Sequence, residues 1–330
     1  MMKTIVTNNL GYRPGNLLWT VIVGFLSVTL AQGQTPSDAL MMPTGDICIL
    51  FNHDVGSFDR YWEGSDLRSN ETIATVHRNT TLPMAAIGVV NSLNFYVGVP
   101  YVHTKSSDPN GGRLEGANGF QDLMLALKYR ALKKTLGPGD LSLFSAVAFS
   151  TPISNYLSDY QPYSIGLGAP EFSLRGIAQY RFHNGLFARA GAAHLWRGYT
   201  EAERDYYYND GSYYTAWMDV PNAWNLDAAV GMWLSNGSLK LEVNYTGLKS
   251  TSGDDIRDYN AAQPTNKVKF DKIGFSVQYY FPSIKGLGVL AYHSRVFNGM
   301  NGPKMNNTGA GLTYQFNFKK KTDEIDMEIE

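Results

Sequence analysis

The fold of this chain is indicated most clearly by one stretch, Thr308–Phe318, which reads TGAGLTYQFNF. Large apolar residues alternate there with small or polar ones. Because successive side chains of a β-strand point to opposite faces, this alternation predicts a strand with one apolar and one polar face. The apolar face would carry Leu312, Tyr314, Phe316 and Phe318, and the polar face Gly311, Thr313, Gln315 and Asn317.

The same pattern recurs through most of the chain after Gly45. Alternating runs are separated by clusters of Gly, Asn, Asp and Pro, which favour turns. We expect strands near residues 46–56, 71–90, 93–104, 119–132, 140–151, 169–182, 186–198, 222–234, 238–248, 267–281, 287–298 and 307–318.

The connections between these strands alternate in length. Short ones fall at 91–92, 133–139, 183–185, 235–237 and 282–286, and long ones at 57–70, 105–118, 152–168, 199–221, 249–266 and 299–306. Short periplasmic turns and long extracellular loops are typical of transmembrane barrels. The runs also reach the roughly 9–11 residues that a tilted spanning strand needs. The sequence therefore predicts an all-β, antiparallel, up-and-down transmembrane β-barrel of about 12 strands, over residues 45–318.

The composition excludes several other classes of protein. The 330 residues include 33 Gly and one Cys, with 17% charged residues, 13% aromatic residues and a net charge of −1. A single Cys excludes an internal disulfide framework and a Cys-rich metal module. The near-zero net charge gives no support to nucleic-acid binding, and the many aromatic residues argue against disorder.

The two ends of the chain differ from the predicted barrel. Leu17–Ala31 is an uncharged apolar run preceded by Lys3 and Arg13, and small residues follow it, so residues 1–33 are predicted to be a secretory signal peptide. Residues 34–44 would then be a periplasmic N-terminal segment. Residues 319–330 carry many charges, and we expect a disordered tail there. Export of this kind places the protein in the bacterial outer membrane, where the membrane lipid would be its first partner.

The polar faces of the strands would line the lumen of the barrel. They carry more basic than acidic residues, which favours either a passage that attracts anions or a network of ion pairs without selectivity. The predicted lumen-lining residues are Asp122, Lys128, Arg130, Arg175, Arg181, Arg189, Asp227, Lys240, Glu242 and Arg295.

Aromatic residues gather at the predicted strand ends and in one long loop. Rings at strand ends are typical of membrane interfaces, and the sequence places Phe187, Trp233 and Tyr280 in such a belt at the inner rim. Loop 199–221 could be an inward plug, a stacking surface for an aromatic ligand, or a rigid surface loop. Its candidate contact residues are Tyr206, Tyr207, Tyr208, Tyr213, Tyr214 and Trp217.

No motif for catalysis or cofactor binding occurs in the sequence. The search covered the serine-hydrolase elbow, the zinc-protease helix, the phosphate-binding loop and paired cysteines. The histidines lack the spacing of metal ligands. We therefore expect no cofactor, no bound metal and no enzymatic activity. His194 falls on a predicted lipid-facing side, so a lipid hydrolase with an outward Ser/His pair is a distant alternative.

One strand resembles a known family. Gly119–Arg130, GFQDLMLALKYR, is similar to a signature of the MetA-pathway of phenol degradation family, and VPY at 99–101 and AFSTP at 148–152 agree with it. That family comprises outer-membrane barrels related to the long-chain fatty-acid channels. The resemblance implies passive uptake of small hydrophobic or aromatic solutes. The alternative is a structural or adhesive barrel whose Tyr-rich loops bind a partner.

Overall fold

The computed structural model describes residues 35–110, 114–257 and 262–318, and the side chains of residues 109, 110 and 114 are left out. The predicted signal peptide and charged tail lie outside these residues. In the described part, no helix is long and apolar enough to cross a membrane.

The chain forms a closed barrel of twelve antiparallel strands, as predicted. Two of these strands are each interrupted once. The strands are β1 Asp46–Phe58, β2 Val76–Val90, β3 Leu93–Gly98 with Tyr101–Asn110, β4 Leu114–Phe120 with Asp122–Leu136, β5 Gly139–Pro152, β6 Glu171–Phe182, β7 Leu186–Arg197, β8 Ala223–Leu234, β9 Leu239–Ser250, β10 Lys269–Tyr280, β11 Leu287–Met300 and β12 Asn306–Asn317.

Strand β1 closes the barrel, because it pairs with both β2 and β12. Ile47 lies opposite Ile87 on one side and opposite Phe316 on the other. Closure satisfies the backbone N–H and C=O groups that an open edge would expose to lipid. Short turns lie at one end of the barrel, which we predicted to be periplasmic, and long loops lie at the other.

The outward face is apolar and the inward face is mixed, as the alternation predicts. Val243 is 56% exposed on the outside of β9, and Leu312 is 55% exposed on the outside of β12. Inward residues are buried, among them Tyr96 and Lys128. Outward apolar side chains without protein cover are what a lipid-facing surface requires.

Residues 105–118, predicted to be a long loop, are largely strand. Tyr101–Asn110 and Leu114–Phe120 form a hairpin that extends β3 and β4. This hairpin lies beyond Asp122 and Pro152, which are the last residue pair between β4 and β5. The ladder breaks at Pro100, which has no backbone N–H to donate, and at Gln121, whose N–H bonds to the carbonyl of Pro100 at 2.9 Å.

Residues 35–44 lie inside the barrel at the short-turn end, although the sequence predicts a segment in the periplasm. Met42 is fully buried against Cys48, Ala86 and Tyr96, which face inward. Because Met42 and Leu40 are large and apolar, burying them in the lumen removes their surface from water.

Three aromatic residues predicted to form part of the inner-rim belt point into the lumen. Phe187, Trp233 and Tyr280 are buried together, and Leu40 packs against them. By contrast Trp196, Trp224 and Tyr199 near the long-loop end face outward and are exposed, as an interfacial belt requires.

Candidate functional site: a chamber in the lumen

A chamber of about 490 Å³ lies in the lumen of the barrel. Its wall combines apolar and polar side chains in nearly equal number, so the chamber offers both apolar surface and hydrogen-bonding groups to a small molecule. The apolar lining includes Leu82, Met124, Ala146, Ala148, Leu167 and Leu195, and the polar lining includes Gln121, Asp122, Ser150, Ser173, Arg175 and Asn225.

The floor of the chamber is the N-terminal segment. Pro36 and Ser37 line the cavity from below. The Lys128 ammonium, fully buried on β4, donates to Asp38 Oδ1 at 2.7 Å and to the carbonyl of Thr35 at 2.8 Å. An ion pair between an inward strand residue and this segment therefore holds the floor in place.

The roof is loop 153–170, which folds into the lumen from the long-loop end. Arg78 of β2 donates from its two terminal nitrogens to the carbonyls of Ser164 and Ile165, at 3.1 and 2.5 Å. Thr104 of β3 donates to the carbonyl of Tyr163 at 2.6 Å. Inward side chains of two strands thus fix the deepest part of the loop.

A tyrosine joins the roof to the chamber wall. The Tyr156 hydroxyl donates to Asp122 Oδ1 at 2.7 Å and accepts the N–H of Gly168 at 3.0 Å. Burial, together with the hydrogen bond to Asp122, raises the pKa of Tyr156. The neutral phenol is therefore the form that holds the loop at physiological pH.

Most of the predicted lumen-lining residues face the interior, and several are paired there. Arg175 contacts Asp227, and Glu242 lies 3.1 Å from Arg189 and 2.8 Å from Lys240. The contacts of Arg175 with Asp227 and of Arg189 with Glu242 each join next-neighbouring strands, whereas Lys240 and Glu242 lie on the same strand, β9. Inward charges that neutralise one another in this way lower the cost of burying each of them.

Two predicted lumen residues have no carboxylate partner in the described part of the chain. Arg130 donates to the carbonyl of Asn91 at 3.0 Å near the short-turn end. The Arg181 guanidinium lies 5.4 Å from the centre of the Trp233 ring, a cation–π distance. Lys128, by contrast, has an acidic partner that the sequence did not reveal, namely Asp38 of the N-terminal segment.

Arg295 does not line the lumen, contrary to the sequence prediction. It pairs with Ile273, which is 51% exposed on the outside, whereas its neighbours Ser294 and Val296 are buried. A β-bulge shifts the register of β10 and β11 between Asp271 and Lys272. That bulge inserts Phe297 beyond Arg295, so it does not change the face on which Arg295 lies. Alternation along β11 places Arg295 on the same outward face as Ala291, and the prediction was wrong because it assigned the charge to the lumen.

A second cavity of about 1110 Å³ lies above the roof, between the long loops, and we call it the vestibule. Its lining includes Phe58, Tyr61, Arg78, Tyr160, Ile256 and Phe270. Gln121 and Leu167 line both the vestibule and the chamber. The two cavities are therefore adjacent and meet at these side chains.

The aromatic residues of the Tyr-rich loop lie beside the vestibule without lining it. It forms two short hairpins, Tyr199–Glu201 with Trp217–Asp219 and Tyr207–Tyr208 with Ser212–Tyr213. Tyr207 stacks on Tyr213 at 5.1 Å, and Arg257 lies 3.3 Å from the centre of the Tyr208 ring. Tyr206 and Tyr214 pack together, and Tyr214 and Trp217 are exposed. None of the six predicted contact residues appears in the described lining of either cavity.

No group of metal-ligating side chains occurs among the residues that the structure describes. The vestibule loops hold two adjacent acids whose pKa values are shifted in opposite directions. A hydrogen bond from Asn301 and the nearby Lys267 lower the pKa of Asp255, whereas burial raises the pKa of Asp254. These contacts tie loop 251–268 to the loop after β11.

Comparison with solved structures identifies the same architecture in one known channel. The COG4313 outer membrane channel from Pseudomonas putida F1 superposes with a TM-score of 0.67 and 13% identity, covering 86% of this chain and 100% of that one. The translocator domain of the autotransporter NalP from Neisseria meningitidis superposes with a lower TM-score of 0.44 and 14% identity, covering 83% of this chain and 90% of that one. A deletion mutant of the monoaromatic hydrocarbon channel TodX superposes with a TM-score of 0.39 and 11% identity, covering 84% of this chain and 91% of that one.

Comparison with family models identifies the family to which the chain belongs. No curated protein matches the sequence. The model of the family described as "Putative MetA-pathway of phenol degradation" matches residues 61–310, which is more than half of the chain. The chain therefore belongs to this family, and its fold is that of an outer-membrane β-barrel channel.

Proposed function

We propose that this protein is a passive channel of the bacterial outer membrane for small hydrophobic or aromatic solutes. The observation that carries the proposal is the chamber between the inward-folded roof and the N-terminal floor. A cavity of about 490 Å³ falls within the range of small-molecule sites, and its lining combines apolar side chains that suit a hydrocarbon or aromatic ring with polar groups that can orient the solute.

The two cavities define a route. A solute would enter the vestibule from outside, pass the side chains of Gln121 and Leu167, and reach the chamber. The N-terminal segment then lies between the chamber and the periplasm, so passage requires this segment to move. No motif for nucleotide binding occurs in the sequence, so solute would move down its concentration gradient.

The test fills the chamber while sparing the barrel. Ala148 faces the chamber, whereas Ala190 lies outward on β7 and is exposed. We expect Ala148→Trp to reduce uptake of a radiolabelled monocyclic aromatic by about tenfold in cells that express the protein. Ala190→Trp should leave uptake unchanged. Equal uptake by both variants, or uptake no faster than in cells without the protein, would refute the proposal.

The exposed Tyr-rich loop favours a second candidate function, that of an adhesive or structural barrel. Tyr214 is 84% exposed, and the loop is not needed to line either cavity. For this candidate, replacing residues 203–215 by a short Gly-Ser linker would abolish surface binding of a partner. Absence of uptake together with loop-dependent binding would support it over the channel.

We assign no enzymatic activity to the protein. A lipid hydrolase of the predicted kind needs a serine hydroxyl beside an outward histidine. The His194 ring packs between Trp196 and Trp224 at 4.4 and 4.8 Å, and its Nδ1 has no hydrogen-bond partner among the described residues. A phospholipase assay on the purified protein tests this assignment.

A further inference from the structure

Two lysines lie directly opposite each other on the outward face of the barrel. Lys249 of β9 pairs with Lys269 of β10 in the register, on the same face as the exposed residues Val243 and Phe275. Like charges that face each other across two strands repel. Such a pair is unfavourable unless a negative charge lies between them, which makes this position worth explaining.

The lysine pair lies at the outer border of the apolar band. The outward row of β9 runs from Leu239 to Lys249, a distance of about 33 Å along the strand. At a strand tilt of about 40°, this corresponds to a height of about 25 Å, which is the thickness of the lipid-facing band of such barrels. Lys249 and Lys269 are therefore at the level of the lipid headgroups on the long-loop side.

The protein neutralises this pair only in part. Within the described ranges, Lys249 has no ion pair, and Lys269 has one contact, to Asp271 Oδ2 at 3.7 Å. The Asp271 carboxylate already accepts hydrogen bonds from Tyr245 and Asn298, each at 2.6 Å. The two ammonium groups thus retain capacity for an external anion.

A tryptophan completes the surface beside the lysines. Trp224 of β8 lies opposite Lys249 in the register and is 49% exposed on the same face. His194 packs edge-on against its ring at 4.8 Å, which fixes the orientation of the indole. A fixed indole offers a flat apolar surface and an N–H donor at the membrane interface.

We infer that Lys249, Lys269 and Trp224 form a binding site for a phosphorylated glycolipid headgroup of the outer leaflet. The phosphate would lie between the two ammonium groups, and the sugar ring would rest on the indole. Phosphate is the anion that fits best, because a single group with several oxygens accepts hydrogen bonds from both lysines. The site is on the outer wall and is independent of the proposed transport through the lumen.

The inference is tested by native mass spectrometry of the whole protein in detergent, titrated with lipid A that carries two, one or no phosphates. We expect the lipid with two phosphates to be retained, and Lys249→Gln/Lys269→Gln to weaken its binding at least fivefold. Lys249→Arg/Lys269→Arg should bind like the native protein, which would show that charge is the cause.

The matched control is Lys133→Gln/Lys134→Gln, which removes two neighbouring exposed lysines at the short-turn end. Its lipid binding should equal that of the native protein. Equal weakening in both double variants, binding that ignores the number of phosphates, or complete displacement by an equal concentration of inorganic phosphate would overturn the inference. Heat-modified migration in gels verifies that each variant is folded.

Discussion

The Lys128 ammonium lies 2.7 Å from Oδ1 of Asp38, inside the barrel, although these residues are far apart in the chain. The lysine side chain is fully buried and also bonds to the carbonyls of Thr35 and Asp38. A buried cation with this set of acceptors fixes the N-terminal segment below the chamber. This ion pair acts together with the buried side chains of Met42 and Leu40 to hold the segment inside the barrel.

Replacing Lys128 by Met should loosen the floor of the chamber. Breaking one partner of a buried ion pair costs about 3–5 kcal/mol, because the other charge is left uncompensated. The Asp38 carboxylate would escape this cost if the segment left the lumen for water. We expect a higher single-channel conductance in planar bilayers and faster proteolysis of residues 35–44. Lys134→Met, at an exposed site, should change neither, and an unchanged conductance in Lys128→Met would contradict the role of the ion pair.

A glycine offers an independent test of the same floor. A Cβ atom at Gly88 would lie 1.9 Å from the carbonyl oxygen of Pro43, whereas a Cβ at Gly176 would meet nothing within 4 Å. We expect Gly88→Ala to displace the N-terminal segment and to raise the conductance as Lys128→Met does. Gly176→Ala is the control, since it adds the same methyl group to another barrel strand. Identical conductance in the two variants would show that the segment does not restrict the lumen.

The barrel could be predicted from the sequence because its signal is local and repeated. The alternation in Thr308–Phe318 and the short turn at 235–237 each follow from neighbouring residues alone. The floor and the roof could not be predicted, since Asp38 meets Lys128, and Ser164 meets Arg78, only after the barrel has closed. Arg295 was placed on the wrong face because a charged residue was assigned to the lumen, although alternation along β11 puts it in the same outward row as Ala291.

The Arg175–Asp227 pair should control ion selectivity through its balance of charge. Arg175 contacts Asp227 and Asn225, and the second oxygen of Asp227 has no described partner. Arg175→Ala would leave a bare carboxylate beside the chamber and favour cations. Asp227→Asn would favour anions, and the double variant should return to the native ratio. Reversal potentials in a salt gradient measure this ratio, and a ratio that stays constant across all three variants would remove the pair from any role in selectivity.

Arg78 should hold the roof in the lumen. Its guanidinium donates to two successive carbonyls of loop 153–170, a geometry that the single ammonium of Lys does not reproduce. We expect Arg78→Lys to increase hydrogen exchange of the backbone at residues 160–167 by about tenfold and to raise the conductance. Arg68→Ala removes an exposed arginine at the rim of the vestibule and serves as the control. Unchanged exchange in Arg78→Lys would show that the remaining loop contacts suffice.

The contact between Asp255 and Asn301 should make the vestibule loops sensitive to acid. Asn301 donates to Asp255 Oδ1 at 2.8 Å, and Lys267 lies 2.9 Å from Oδ2. The hydrogen bond from Asn301 is the largest cause that lowers the pKa of Asp255. A carboxyl with a lowered pKa stabilises the folded loop above its unfolded value of about 3.9, and this stabilisation is lost as the pH falls through the lowered value.

A nitroxide label on Ser252→Cys, in a background that carries Cys48→Ala, would report the order of loop 251–268. We expect a label that is immobile from pH 7 to about pH 4 and becomes mobile below that range. Asn301→Ala should shift the onset of mobility to higher pH, because the carboxylate loses its main donor. Burial raises the pKa of the neighbouring Asp254 and so acts in the opposite direction, since protonation relieves the cost of burying its charge. Greater order on acidification would therefore assign the loop's response to Asp254 and contradict the role given to Asp255.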